Sequence, residues 1–176
     1  MKDKKELKNT VGFLTKAALF SALIFVATSF LSIPLPIGYI HIGDGILFLA
    51  AAILPTPYAI GAAIIGAGLA DLTAGYAIYI PATVVIKSIT ALAFSNKDNK
   101  IVTVRNVIAL AVSALICAGG YYLYEALIYN SFVAPLVSVP LNVVQVICGG
   151  VVFVIFGTAI DKRYKLTKLF GQNSNK

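Results

Sequence analysis

Residues 66–87 read GAGLADLTAGYAIYIPATVVIK. The stretch is apolar and rich in small residues, yet it carries a carboxylate, Asp71, and an amine, Lys87, on either side of a Gly75-Tyr76 turn. Taking a charge into lipid is costly unless it is paired or wetted, so an ionisable residue in such a segment points to function. Two readings are open at this stage. Asp71 and Lys87 form a structural ion pair between helices, or they belong to the wall of a polar pocket.

The rest of the chain sets the frame. Its 176 residues are 59% hydrophobic and only 12% charged, with no Trp. Soluble domains have about a quarter of their residues charged. Several apolar runs are of membrane-crossing length, and only helices and closed barrels satisfy their backbones in lipid. Alternation at every second residue is absent, which argues against a barrel. The chain therefore reads as an all-α polytopic membrane protein with one domain over residues 1–176, in contact with the lipid bilayer.

The formal net charge is +7, but position decides its meaning. Of fourteen Lys and Arg, five lie between Lys2 and Lys16, three between Lys97 and Arg105, and five between Lys162 and Lys176. Basic segments separated by apolar runs follow the positive-inside rule, which places all three in the cytoplasm. No basic helix face or aromatic-basic platform is present, so nucleic acid is not a partner. Cys117 and Cys148 lie in apolar runs with no CxxC and no Cys/His spacing, which reads as small core residues, without a disulfide framework or metal site. No cofactor is implied. The run from Phe13 to Ile33 is long enough to span, so the basic-then-apolar N-terminus reads as a retained first helix, with Lys16 snorkelling at its inner end.

Six helices follow, at roughly residues 11–32, 42–54, 58–75, 80–94, 107–129 and 139–160. In the first, Ala18 and Ala22 lie four apart with Ser21 beside them, a spacing that lets another helix come close. Ser32 to His41, SIPLPIGYIH, reads as a loop. Asp44 is a candidate N-cap of the second helix, a candidate ligand contact, or both. That helix is about 15 Å long at the usual rise, so it extends through His41, tilts, or sits where the bilayer is thin. In the third, Ala59, Ala63, Ala67 and Asp71 form one stripe and Ala62, Gly66, Ala70 and Ala74 a second, which turns Asp71 towards protein. Thr83, Lys87 and Thr90 share a face of the fourth. Tyr121, Glu125 and Tyr129 recur at four-residue steps in the fifth, with Tyr122 alongside. Asn142, Gln145 and Gly149 share a face of the sixth. Cytoplasmic termini and a cytoplasmic Lys97 loop require an even number of crossings on each side of that loop, and four plus two satisfies this.

Depth brings the polar residues together. Asp44, Asp71, Lys87, Glu125 and Asn142 all fall in the outer half on five different helices, Lys87 roughly 9 Å inside Pro81. A relay crossing the membrane would spread its groups through the depth. This clustering describes a pocket near the outside, with Tyr39, Tyr76, Tyr121 and Tyr122 as flat walls for a small heteroaromatic ligand.

On these residues the chain resembles the S component, the substrate-binding membrane subunit, of an energy-coupling factor (ECF) vitamin transporter. The resemblance covers nearly the whole chain. It lies in the six-helix layout, the small residues around Ala18 and Ala22, the runs GYIHIGDGILFLAAAILP and GLADLTAGYAIYIPATVVIK, and the opening PLNVVQ of the last helix. The first run looks most like the subgroup for hydroxymethylpyrimidine or pyridoxine-type compounds. The resemblance implies a vitamin bound near the outer face under the loop between helices one and two, by residues drawn from His41, Asp44, Asp71, Tyr76, Lys87, Tyr121, Tyr122, Glu125, Asn142 and Gln145. It implies a coupling transmembrane subunit docked on Ala18, Ser21 and Ala22, two ATPase subunits, and a prokaryotic cell membrane. The absence of Trp departs from thiamin-type members. No Walker A motif is present, so ATP hydrolysis is left to partners, and no catalytic residue is assigned. A proton-coupled transporter using Asp71 or Glu125 is the rival, and an intramembrane enzyme the alternative from another class.

Overall fold

The computed structural model describes residues 4–34 and 39–163. The basic tail beyond residue 163, the first three residues and residues 35–38 of the first loop lie outside the described residues. Six α-helices are present among those described: α1 (Lys4–Phe30), α2 (Gly43–Ile53), α3 (Thr56–Thr73), α4 (Ile80–Ala93), α5 (Val104–Ile128) and α6 (Ser138–Arg163). The longest, α1, begins about two turns before the position read from hydropathy, because the basic LysLysGluLeuLys segment has good helix formers and nothing to stop them. Helices α1, α5 and α6 are long and apolar enough to cross a membrane.

Two strands were absent from the all-α reading. Ser32–Pro34 (β1) and Tyr39–His41 (β2) pair antiparallel, Ile33 opposite Ile40 and Ser32 opposite His41. Prolines cannot continue a helix but tolerate a strand on an edge, and the ladder has no third member among the described residues, so a short hairpin satisfies these backbones.

Neighbouring helices run α1, α3, α4, α5, α6 around the bundle, and α2 packs against α1, α3, α4 and α6. Ten of its eleven residues are buried, so its shortness has a simple cause. A helix that is apolar all round belongs inside protein. It does not extend through His41, which lies in β2. Asp44 is in its first turn, with no side-chain cap bond at the N-terminus, so the N-cap role is not observed.

Glycines set how near the helices approach. A Cβ on Gly45 would come within 2.6 Å of Val152 Cβ and 2.7 Å of the Gly149 carbonyl oxygen, so α2 and α6 cross nearly backbone to backbone there. Gly66 does the same against α1, where its Cβ would meet the Ser21 carbonyl oxygen at 2.6 Å. Ser21 is consequently buried in an internal α1–α3 crossing, while Ala18 and Ala22 stay open on the outside of α1. Leu19, Leu23, Leu115, Leu127 and Ile155 are among many large apolar side chains on the exterior. Such a surface is stable only if something apolar covers it, and in this chain that is lipid. Cys117 is in the core as read, but Cys148 faces outward.

The end opposite the hairpin is closed by amide and carboxylate bonds. Asn106, fully buried, accepts from the Ser95 N–H at 2.8 Å and donates to the Ser95 and Ile101 carbonyls, both at 2.9 Å. Asp161 accepts from the N–H groups of Ile101 and Val102 at 2.8 and 3.0 Å. Thr103 caps α5 by accepting from Asn106 N–H.

Candidate functional site

The two lining carboxylates lie close to deliberate helix stops. Helix α3 ends with Gly75 at φ 83°, a left-handed position where a side chain would be strained. There the Tyr76 N–H reaches the Asp71 carbonyl at 2.8 Å and the Gly75 N–H the Leu72 carbonyl at 3.3 Å. This Schellman arrangement fixes Asp71 on the last full turn. Helix α5 stops the same way, with Asn130 at φ 47° and the Ser131 N–H on the Ala126 carbonyl, which fixes Glu125 one turn from its end.

Between these ends and the hairpin lies a hollow, partly open to the outside, of about 520 Å³ with the open space at its mouth included. Hairpin residues Tyr39, Ile40 and His41 cover one side, and Asp71, Tyr76, Tyr79, Thr83 and Tyr121 another. Glu125, Leu141, Asn142 and Gln145 complete it. Tyr39 stacks on Tyr76 with ring centroids 5.2 Å apart, and Tyr79 meets Tyr76 edge-on at 6.0 Å. Such a row of rings offers flat apolar faces with polar tips.

Hydroxyl donors serve the carboxylates of the wall. Tyr39 Oη donates to Asp71 Oδ1 at 2.7 Å, tying the hairpin to α3. Asp71 Oδ2 is buried with no hydrogen-bond partner. Tyr79 Oη donates to Glu125 Oε1 at 3.4 Å, and Ser138 Oγ donates to Glu125 Oε2. Burial, and then the Asp71 carboxylate, push the Tyr39 phenol well above its ordinary range, so it stays a donor. Burial pushes the His41 imidazole down to about 4; Asp44 opposes this and Lys87 adds to it, and the ring is neutral at physiological pH.

Lys87 has a different partner from the one weighed in the sequence. Its Nζ donates to Asp44 Oδ1 at 2.6 Å, and Gln145 Nε2 donates to Asp44 Oδ2 at 2.9 Å. Lys87 and Asp44 are each 1% exposed. The structural pair is thus Asp44–Lys87, and Asp71 is not in it. The close Gly45–Gly149 crossing is the reason, since it carries Asp44 against the α6 face that presents Gln145.

Eight residues singled out for the pocket from the sequence therefore line the hollow: Tyr39, His41, Asp71, Tyr76, Tyr121, Glu125, Asn142 and Gln145. Asp44 and Lys87 lie behind its wall. Tyr122 lies apart, donating to the Phe132 carbonyl at 3.1 Å. Tyr79 went unrecognised, although Tyr79, Thr83 and Lys87 recur at four-residue steps, the signature of a shared helix face. Tyr39 and His41, two apart, share the inward face of a strand.

Between α1 and α3 a second, apolar groove is lined by Ala18, Ala22, Tyr58, Gly61, Ile65 and neighbours. The family model described as ECF-type riboflavin transporter, S component, matches residues 8–162. No curated protein matches the chain.

Proposed function

Because this chain belongs to the family of ECF-type riboflavin transporter S components, we propose that it captures a single-ring heteroaromatic vitamin or precursor, of the pyridoxine or hydroxymethylpyrimidine type, in the hollow under the hairpin. Members of the family are membrane-embedded substrate-binding subunits of transporters, and they work with a coupling membrane subunit and ATPases. They are not enzymes. The observation that carries the finer reading is the hollow itself. It is small and ring-lined, and its polar groups come from β2, α3, α4, α5 and α6 at one end of the bundle. A small ring between tyrosines, with hydroxyl or amine groups on Asp71, Glu125, Asn142 and Gln145, uses each of these features.

In this reading the chain makes six crossings of a prokaryotic plasma membrane. The hairpin end faces out, and the termini and the Lys97 loop face the cytoplasm, as the basic segments require. A cysteine at Asn99 that is labelled from outside would reverse that orientation. The α1–α3 groove around Ala18 and Ala22 receives the coupling subunit, and two ATPases supply the energy. Clustering of Asp71 and Glu125 at one end gives no support to a proton path through the bilayer. Transport that persists without any ATPase would restore that rival.

Mass spectrometry of small molecules released from the purified protein tests the ligand. A pyridine or pyrimidine bearing hydroxyl or amine groups is the expected result. Riboflavin is the second reading, favoured by the description of the matching family model. Its release from the protein would displace the single-ring reading.

A further inference from the structure

Among the described residues three carboxylates are buried at the hairpin end, and they are not treated alike. Asp44 is neutralised by the Lys87 ammonium and further held by Gln145. Asp71 and Glu125, the two that line the hollow, have only neutral hydroxyls beside them, Tyr39 and Thr83 in one case and Tyr79 and Ser138 in the other. Neither Lys nor Arg is among the lining residues, and His41 is neutral. Lys87 is buried behind the wall and already committed. The hollow therefore has carboxylates without a counter-charge, in surroundings where an uncompensated charge is costly.

A second observation says where the missing charge belongs. Asp71 is 7% exposed, and its Oδ2 is a buried acceptor with no hydrogen-bond partner, while its Oδ1 is taken by Tyr39. Buried polar atoms are nearly always paired, and an exception in the wall of an open hollow marks a place for a donor. Both oxygens of Glu125 are already engaged, so Asp71 is the group left incomplete.

We propose that the hollow selects its ligand by charge, taking a heteroaromatic compound that bears a protonated amine, whose N–H donates to Asp71 Oδ2, and rejecting phosphate esters. This rests on the single-ring reading above and narrows it. An ammonium supplies both the donor and the charge that the hydroxyls do not. A phosphate would bring negative charge beside two carboxylates with no free cation to receive it.

The test is calorimetric titration of the purified full-length protein at neutral pH with pyridoxamine, pyridoxine, pyridoxamine 5′-phosphate and riboflavin. Pyridoxamine and pyridoxine differ only in an aminomethyl group against a hydroxymethyl group. Pyridoxamine is expected to bind about tenfold more tightly or better, the margin of a charge-assisted over a neutral hydrogen bond. The phosphate ester is expected not to bind. In Asp71→Asn the preference for pyridoxamine over pyridoxine should vanish, whatever the affinity the two then share. The parent protein alone gives the decisive ratio, so a poorly folding variant does not blunt the test. Equal or tighter binding of pyridoxine, or binding of the phosphate ester, would overturn selection by charge and leave the single-ring reading standing. Binding of riboflavin alone, or of none of the four, would overturn both.

Discussion

The two ends of the bundle handle buried polarity in opposite ways. At the end away from the hairpin, Asn106 uses its amide oxygen once and its amide nitrogen twice, and Asp161 closes two backbone N–H groups. At the hairpin end, Thr28 Oγ1, Ser29 Oγ, His41 Nδ1 and Asp71 Oδ2 are buried without a hydrogen-bond partner. Among the described residues these four account for every such atom, and none is at the far end. Each such group costs about 1–3 kcal/mol. One end is complete by itself, whereas the other keeps unpaired groups, two of them on His41 and Asp71, which line the hollow. The difference separates polar residues that hold the fold from those that the proposed function assigns to a ligand.

The comparison breaks most easily at Lys87, which belongs to the hairpin end by position and to the fold by chemistry. Lys87→Met leaves Asp44 charged with no counter-ion and only the Gln145 amide as partner, at a cost of about 3–5 kcal/mol. Thermal unfolding should show a large loss, and Asp44→Asn in the same chain should recover most of it. If Asp71→Asn rescues Lys87→Met instead, the pairing drawn here is wrong.

Asn106→Ala tests the far end. It strands one N–H and two carbonyls, and about 2–4 kcal/mol of stability should go, at roughly 1 kcal/mol or more per lost bond. Ligand affinity of the protein that remains folded should match the parent. A fall in affinity without a fall in melting temperature would mean that the two ends are not separate.

The smallest effect on stability is expected at Ala18→Leu and Ala22→Leu. Both positions are open on the outer face of α1, so melting temperature and ligand affinity should stay within about 0.5 kcal/mol of the parent. Assembly with the coupling subunit, read by co-purification, should be lost. Ser21→Leu should behave differently, because Ser21 is packed in the α1–α3 crossing at Gly66 and a larger side chain there strains the bundle. If all three variants lose stability alike, the groove is internal packing.

Hydropathy and helix punctuation are local properties, and they located the six helices to within a few residues at most ends. The Gly75 turn and the small-residue stripes of α3 were legible because a left-handed stop and a close crossing each demand particular residues. The gathering of polar residues at one end was legible too, since depth along a spanning helix can be counted from its ends. Proline and glycine spacing marked residues 32–41 as non-helical but did not reveal the hairpin, because a two-stranded ladder depends on pairing rather than on propensity.

Rotation and neighbour order are not local, and tertiary structure alone decided them. Asp44 and Lys87 are 43 residues apart, and Gln145 lies 101 residues beyond Asp44. Nothing in their own segments says that they meet. They do so because Gly45 and Gly149 let α2 and α6 cross almost in backbone contact, while α2 lies buried among its neighbours. That crossing gave Lys87 its partner and left Asp71 without a cation. Small residues in a sequence announce that some helix will come close; which helix, and at what angle, is set by the packing of the whole bundle.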